Sequence, residues 1–155
     1  MTEKAIYVAS TEESAGKSIV TMSLALIATE LGKKVGYFKP IGTESTGEIR
    51  ERPLDEDAEI MKTLLNLEED TEIYCPLILR RNTFLEDFIT GDSSEYIEKI
   101  LSSYKKASKN KDVMLIEGAS TFSSGAFLDC SVLNLAPKLN AQILLVSRFK
   151  NDHVV

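Results

Sequence analysis

Short apolar runs alternate along this chain with segments of helical periodicity, and this alternation constrains the fold more than any other feature. Four runs predict strands, at residues 4–9, 34–38, 112–116 and 142–147. Each run is apolar along its whole length, which indicates burial on both faces of a sheet. We therefore expect an α/β protein of three layers, with a mostly parallel sheet and helices on both faces.

The segments between these runs predict helices at residues 18–31, 57–65, 92–109 and 131–139, with a brief helix at 83–89. Apolar residues recur at helical spacing in the first helix, and Gly32 occupies the position of a C-terminal cap. Asp92 and Glu95 resemble a capping box at the start of the predicted helix at residues 92–109. Residues 41–55 read as a polar loop, and residues 68–81 fit no single element.

The length of 155 residues suits a single domain, which we expect to span residues 1–155. The formal net charge of −6 argues against a nucleic-acid partner. No apolar run reaches the roughly 18 residues of a membrane span, so no membrane partner is expected. Eight residues follow the last predicted strand, where a doubly wound sheet normally continues. We expect either a minimal fold or the N-terminal portion of a longer chain.

The chain has two cysteines, Cys75 and Cys130, and one histidine, His153. The cysteines match no metal-binding spacing, which favours reduced thiols and a cytoplasmic location. A single histidine argues against a His-dependent catalytic triad and against a zinc site built on several histidines.

Residues 10–18 (STEESAGKS) lie between the first predicted strand and the first predicted helix, where a phosphate-binding loop forms. In such a loop Gly16 allows close approach of the backbone, Lys17 supplies a cation to the β- and γ-phosphates, and the Ser18 hydroxyl can bind Mg²⁺. The predicted nucleotide-binding residues are Thr11, Glu12, Glu13, Ser14, Ala15, Gly16, Lys17 and Ser18. The usual pattern has a glycine where Thr11 stands, and the alternative is a helix N-cap with a nearby surface lysine.

Three further side chains are candidates for the same site. Glu117 and Lys39 each follow a predicted strand, and ligand sites of α/β proteins lie at the carboxyl ends of strands. Glu117 and Asp57 could bind Mg²⁺, and Lys39 could neutralise phosphate charge. The alternatives are a solvent-facing strand end for Glu117, a helix cap for Asp57 and a surface lysine for Lys39. Arg80 and Arg81 read as a solvated pair or as a contact for an anionic substrate.

At these residues the sequence resembles the dethiobiotin synthetase family of P-loop ATPases. The matching segments are residues 10–18 against the family's GTDTxVGKT, 37–40 (YFKP) against GYKP, 57–58 (DA) against SDA, and 116–119 (IEGA) against VEGAGG. The resemblance covers nearly all of the chain and about the first two-thirds of a family domain. The dethiobiotin synthetase-like domain of some phosphotransacetylase and DRTGG-type proteins is still more similar, and cobyrinic acid a,c-diamide synthase is a further relative.

The resemblance implies a P-loop NTPase fold with ATP and Mg²⁺ as cofactors. Lys17 and Lys39 would be the catalytic residues that hold the phosphates, and Ser18, Asp57 and Glu117 would surround Mg²⁺. The implied activity is that of an ATP-dependent ligase that forms carbon–nitrogen bonds. Such a ligase activates a carboxylate-like oxygen of a small carboxylate or amine substrate by phosphoryl transfer. A homodimer is also implied.

Two departures from the family pattern keep an alternative open. Ser10 replaces the leading glycine, and Ser120 and Thr121 replace a glycine pair that lines the family's substrate pocket. The alternative is a non-catalytic, nucleotide-sensing regulatory domain of a phosphotransacetylase or DRTGG-type protein. A partition ATPase is disfavoured, because Glu12 and Glu13 stand where those proteins carry an additional lysine.

Overall fold

The computed structural model describes residues 4–43, 54–79 and 93–148. Its elements in chain order are β1 (Lys4–Ser10), α1 (Lys17–Glu30), β2 (Val35–Phe38), β3 (Ile41–Thr43), α2 (Glu56–Leu64), α3 (Thr71–Tyr74), β4 (Leu77–Leu79), α4 (Ser93–Ala107), β5 (Val113–Glu117), a 3₁₀ helix (Ala126–Leu128), α5 (Val132–Lys138) and β6 (Ala141–Val146). Several predictions fall outside the described residues: the helix at 83–89, Arg80, Arg81, Asp92 and His153.

Within the described residues, the main sheet has four parallel strands in the order β2-β5-β1-β6. Tyr37 pairs with Leu115 and Val8 pairs with Glu117, so the carboxyl ends of β1, β2 and β5 lie at one edge. Applied to this strand order, the right-handed rule for parallel crossovers puts α1 on one face of the sheet and α4 and α5 on the other. The predicted α/β fold with a mostly parallel sheet is confirmed.

Burial explains why the predicted strands form, with one exception. All four residues of β2 are buried, and β5 is buried from Met114 to Glu117. In β6, by contrast, Ile143, Leu144 and Leu145 are exposed. The prediction of burial on both faces is therefore wrong for β6. In the described part of the chain β2 and β6 are both edge strands, so the exposure of β6 reflects how little the described residues cover its faces rather than its edge position alone.

A second sheet of two parallel strands joins β3 to β4, with Ile41 opposite Leu77. The prediction of a polar loop throughout residues 41–55 is wrong at residues 41–43. The ambiguous region 68–81 contains α3 and β4. Residues 44–53 of the predicted loop lie outside the described residues. Three-residue strands carry too little pattern to be recognised locally, because their partners come from distant parts of the sequence.

Cys75 and Cys130 are both buried and free, as expected for reduced thiols. Burial raises the pKa of the Cys130 thiol to about 11, and the nearby Asp129 charge adds to the shift. Among the described residues, no helix is both long and apolar enough to cross a membrane.

Candidate functional site

The candidate site lies at the carboxyl edge of the main sheet, where β1 ends at Ser10 and β5 ends at Glu117. Lys39 follows β2 directly and is buried, and its backbone N–H donates to the carbonyl of Tyr74 across 2.7 Å. Parallel strands bring these positions together because their carboxyl ends share one edge. Ligands of open α/β sheets bind at this edge.

The loop from Thr11 to Gly16 connects β1 to the N-terminus of α1. Gly16 precedes the helix with φ 101°, and Ser14 also has a positive φ of 53°. A Cβ atom at Gly16 would meet no heavy atom within 4 Å, so this position requires glycine for its backbone conformation. Turns of this kind direct successive N–H groups inward and form anion-binding concavities.

Lys17 is the first residue of α1 and is buried. Its ammonium donates to Ser10 Oγ and to the carbonyl of Ser120, both across 2.9 Å. Burial lowers the pKa of Lys17, and the charge of Glu117 opposes this shift. Lys17 is therefore not the surface lysine of the alternative interpretation.

Glu117 is 1% exposed and accepts hydrogen bonds on both carboxylate oxygens. Ser18 donates to Oε1 across 2.8 Å, and the Tyr37 hydroxyl donates to Oε2 across 3.1 Å. Burial raises the pKa of Glu117, the charge of Lys39 opposes the shift, and the charge of Asp57 adds to it. A solvent-facing strand end is thus excluded for Glu117.

Lys39 connects two aspartates to this group. Its ammonium lies 2.9 Å from Asp55 Oδ1 and 2.7 Å from Asp57 Oδ2. Burial by itself would lower the pKa of Lys39, but the charges of Asp55, Glu117 and Asp57 raise it above its ordinary value. Lys39 is therefore a buried, ion-paired lysine.

Asp57 lies in the first turn of α2 and faces Lys39. Burial by itself would raise its pKa, but the hydrogen bond and charge of Lys39 lower it, and the nearby Ser18 and Glu117 lower it further. The N-cap of α2 is Asp55, which accepts from Ala58 N across 3.0 Å. The helix-cap alternative for Asp57 is therefore wrong.

The structure brings together five side chains singled out in the sequence: Lys17, Ser18, Lys39, Asp57 and Glu117. It adds two that sequence reasoning missed, Tyr37 and Asp55. Asp55 also accepts from the backbone N–H of Thr43 across 2.9 Å, so it joins α2, β3 and Lys39. Tyr37 lies two residues before Lys39, and that spacing in a strand places both side chains on one face.

The segment after β6 also contacts the phosphate loop. Thr11 donates from its hydroxyl to Ser147 Oγ across 3.2 Å, and Arg148 donates to the carbonyl of Ser14. The carbonyl of Glu12 accepts from Ser10 Oγ across 2.8 Å. Of the predicted loop residues, Thr11, Glu13 and Ser14 are exposed, and Glu12, Ala15, Gly16 and Ser18 are half-buried.

The donor set fits a small divalent cation. Asp57 and Glu117 supply carboxylate oxygens and Ser18 a hydroxyl oxygen, the hard ligands that Mg²⁺ prefers. No group of three or more His, Cys, Asp or Glu side chains in the described part of the chain could hold a metal ion. A cation here would therefore also need phosphate oxygens or water, which is usual for Mg²⁺ at nucleotide sites.

Comparison with known proteins places these features in a family. A family model described as an AAA domain matches residues 4–154. The phosphate acetyltransferase of Haemophilus influenzae is 29% identical over 86% of this chain and 18% of its own length. That of Pseudomonas aeruginosa is 28% identical over 94% of this chain and 20% of its own length. The ATP-dependent dethiobiotin synthetase BioD of Nitrosopumilus maritimus is 26% identical over 95% of this chain and 64% of its own length.

The chain thus spans about a fifth of the acetyltransferases and just under two-thirds of the synthetase. Among solved structures, the signal recognition particle receptor FtsY of Elizabethkingia anophelis aligns with 94% of this chain and 42% of its own, at 15% identity and a TM-score of 0.46. That score is too low for the alignment to support the assignment. The match over residues 4–154 shows that the chain belongs to this AAA-domain family of dethiobiotin synthetase-like P-loop proteins.

Proposed function

We propose that this chain binds ATP with Mg²⁺ and supports phosphoryl transfer to a carboxylate-like oxygen, the activating step of an ATP-dependent ligase. One observation carries the proposal. The ammonium groups of Lys17 and Lys39 and the oxygens of Ser18, Asp57 and Glu117 form a single, largely buried cluster beside a glycine-containing loop. Titratable groups with perturbed pKa values cluster at functional sites, and ligands of open α/β sheets bind at the carboxyl ends of the strands.

The phosphate loop supports the nucleotide part of the proposal. The N-terminus of α1 carries a partial positive charge, and Lys17 adds a full one beside Ser10. Lys17 is held by two neutral oxygens, Ser10 Oγ and the Ser120 carbonyl, so its charge is available to an anion. The family membership and the synthetases named above favour ATP as that anion.

Ser18, Asp57 and Glu117 are the residues that we expect to hold Mg²⁺. When bound, the cation would neutralise phosphate charge and help to align the γ-phosphate. Ser18 lies between the phosphate loop and both carboxylates. It is therefore placed to link nucleotide and metal.

Transfer of the phosphoryl group needs positioning and charge neutralisation more than a side-chain nucleophile. In the proposed step an oxygen of the substrate carboxylate forms a bond to the γ-phosphorus while the bond to the leaving ADP oxygen breaks. Lys39 is oriented by Asp55 and Asp57, and it is the residue that we expect to stabilise the equatorial oxygens. An amine then displaces phosphate and forms the carbon–nitrogen bond.

A second candidate function is a nucleotide-sensing regulatory domain without substrate chemistry. The loop after β5 favours it, because hydroxyl side chains stand where the synthetase family has glycines. Thr121 and Ser124 are hydrogen-bonded to each other at the mouth of the site, and Phe122 N donates to the Ser10 carbonyl across 2.8 Å. A loop closed by these hydrogen bonds differs from the glycine-rich substrate pocket that the resemblance implies for the synthetases.

ADP release separates the two candidates. The full-length protein is incubated with ATP and Mg²⁺, with and without small dicarboxylic and amino acids that serve as candidate substrates. Turnover that depends on one of these acids supports the ligase. Tight ATP binding with negligible turnover in every mixture supports the sensor. Homodimerisation and a cytoplasmic location remain predictions.

A further inference from the structure

We propose that Tyr37 is a positioning residue, which holds the Glu117 carboxylate in the orientation that Mg²⁺ binding requires. The inference rests on the proposed function, because it concerns the same metal-binding group. Sequence comparison with the phosphate-loop pattern does not single out this tyrosine. Its role follows from the pairing of β2 with β5.

Strand register explains how the two side chains meet. Tyr37 pairs with Leu115, and Glu117 lies two residues further along β5 on the same face. Diagonal neighbours on one face are within reach of a long aromatic side chain. The phenol therefore extends towards the carboxyl edge, and its hydroxyl donates to Oε2 of Glu117 across 3.1 Å.

The two oxygens of Glu117 are held from two different elements. Tyr37, on β2, binds Oε2, while Ser18, on the first turn of α1, binds Oε1 across 2.8 Å. Tyr37 is fully buried, so its hydroxyl has little freedom to leave this contact. The carboxylate is thereby fixed in rotation, with Oε1 directed towards the phosphate loop.

Ser18 and Tyr37 contact the Glu117 carboxylate from different parts of the site. Ser18 lies at the phosphate loop and can itself bind the cation, whereas Tyr37 lies behind the carboxylate within the sheet. Groups that hold a metal ligand from behind typically change metal affinity about 10- to 100-fold when they are removed. The Tyr37 hydroxyl should therefore affect metal binding and leave the phosphate loop unchanged.

The test is ATP affinity of the Tyr37→Phe variant, measured by calorimetry across a range of Mg²⁺ concentrations and in EDTA. The substitution removes only the hydroxyl group. We expect the Mg²⁺ concentration for half-maximal enhancement of ATP binding to rise about tenfold. Affinity in EDTA should stay unchanged. The control is Tyr7→Phe, because Tyr7 is also a buried strand tyrosine but lies on β1 rather than on β2.

A double variant shows whether Tyr37 acts through Glu117. Added to Glu117→Gln, the Tyr37→Phe substitution should cause no further change in Mg²⁺ dependence, because the oriented carboxylate is already lost. An additive effect would overturn the inference. An equal loss of ATP affinity in Mg²⁺ and EDTA, or a chain that no longer unfolds cooperatively, would assign Tyr37 a structural role and overturn it as well.

The wild-type protein distinguishes failure of the inference from failure of the proposed function. If Mg²⁺ does not enhance ATP binding by the wild type, the proposed function is wrong. If Mg²⁺ enhances binding by the wild type and by Tyr37→Phe at the same concentration, only the inference is wrong.

Discussion

Ser18, in the first turn of α1, donates its hydroxyl hydrogen to Oε1 of Glu117 across 2.8 Å, although 99 residues separate the two in sequence. This contact joins the phosphate loop to the end of β5. Asp57 accepts a hydrogen bond from Lys39 across 2.7 Å, and its pKa also responds to Ser18 and Glu117 nearby. The candidate site is therefore one connected group of side chains. A substitution at one member should alter the hydrogen bonds or pKa values of the others.

Replacement of Lys17 tests the cation of the phosphate loop. Lys17→Ala should weaken ATP binding more than tenfold, because the ammonium beside Ser10 is lost. Isothermal titration with ATP and Mg²⁺ measures the effect. Lys105→Ala, on the exposed surface of α4, is the control and should bind ATP like the wild type. Equal affinity of the Lys17→Ala variant and the wild type would contradict the assignment of the loop.

Alanine variants of two glycines with positive φ distinguish the effect of backbone strain on stability from an effect on ATP binding. Gly16 (φ 101°) and Gly32 (φ 72°) flank α1, and a Cβ atom at either would meet nothing within 4 Å. Each alanine variant should lose about 1–2 kcal/mol of unfolding free energy, because the left-handed region is unfavourable for alanine. Urea unfolding measures this loss.

ATP titration then distinguishes the two positions. Only Gly16→Ala should lose ATP affinity, because only this change alters the backbone that would contact phosphate. A parallel loss of affinity in Gly32→Ala would mean that general destabilisation explains the effect.

The pairing of Lys39 with Asp55 should matter for stability as well as for phosphate binding. Lys39→Met leaves the Asp55 carboxylate buried without its cation, which typically costs about 3–5 kcal/mol. Urea unfolding should show this loss, and the further change Asp55→Asn should restore part of it by removing the unpaired charge. Lys34→Met, at an exposed position just before β2, is the control. A loss below about 1 kcal/mol in Lys39→Met would contradict a strong buried pair.

Glu69 should impose a pH dependence on stability outside the candidate site. Tyr74 donates a hydrogen bond to the Glu69 carboxylate and lowers its pKa below the ordinary value of 4.5. A carboxyl whose folded-state pKa is lowered adds stability above its ordinary pKa, and this contribution is lost as pH falls through the folded-state pKa. The stability advantage over Glu69→Gln should therefore be constant above about pH 6 and shrink below about pH 4.5.

Urea unfolding across this pH range measures the dependence. Glu68→Gln, at the exposed neighbouring position, is the matched control. A pH-independent difference between the wild type and Glu69→Gln would show that the hydrogen bond does not depend on the carboxylate charge.

The sequence predicted the strands of the main sheet and several residues of the candidate site. The four strands of the main sheet are continuous apolar runs, and Gly16-Lys17-Ser18 is a local pattern. Both are readable because the physical cause lies within a few neighbouring residues. The exposure of β6 was not predicted, since an apolar run does not reveal how much of its surface other elements cover.

Tyr37 and Asp55 were missed because their roles depend on long-range pairing. Tyr37 meets Glu117 only through the register of β2 with β5, which is 80 residues away in sequence. Asp55 belongs to an acidic run, Asp55 to Asp57, in which the sequence singled out only Asp57, yet Asp55 is 2% exposed and binds Lys39. Burial of a charged side chain cannot be read from its neighbours in the chain.

The Mg²⁺ dependence of ATP affinity in the wild type and in Glu117→Gln tests the central claim most directly. The account predicts that Mg²⁺ enhances ATP binding by the wild type, that Glu117→Gln loses most of this enhancement, and that both unfold at similar urea concentrations. An enhancement that survives Glu117→Gln, or a variant that loses stability and ATP binding in equal measure, would contradict it and leave Glu117 a structural acid.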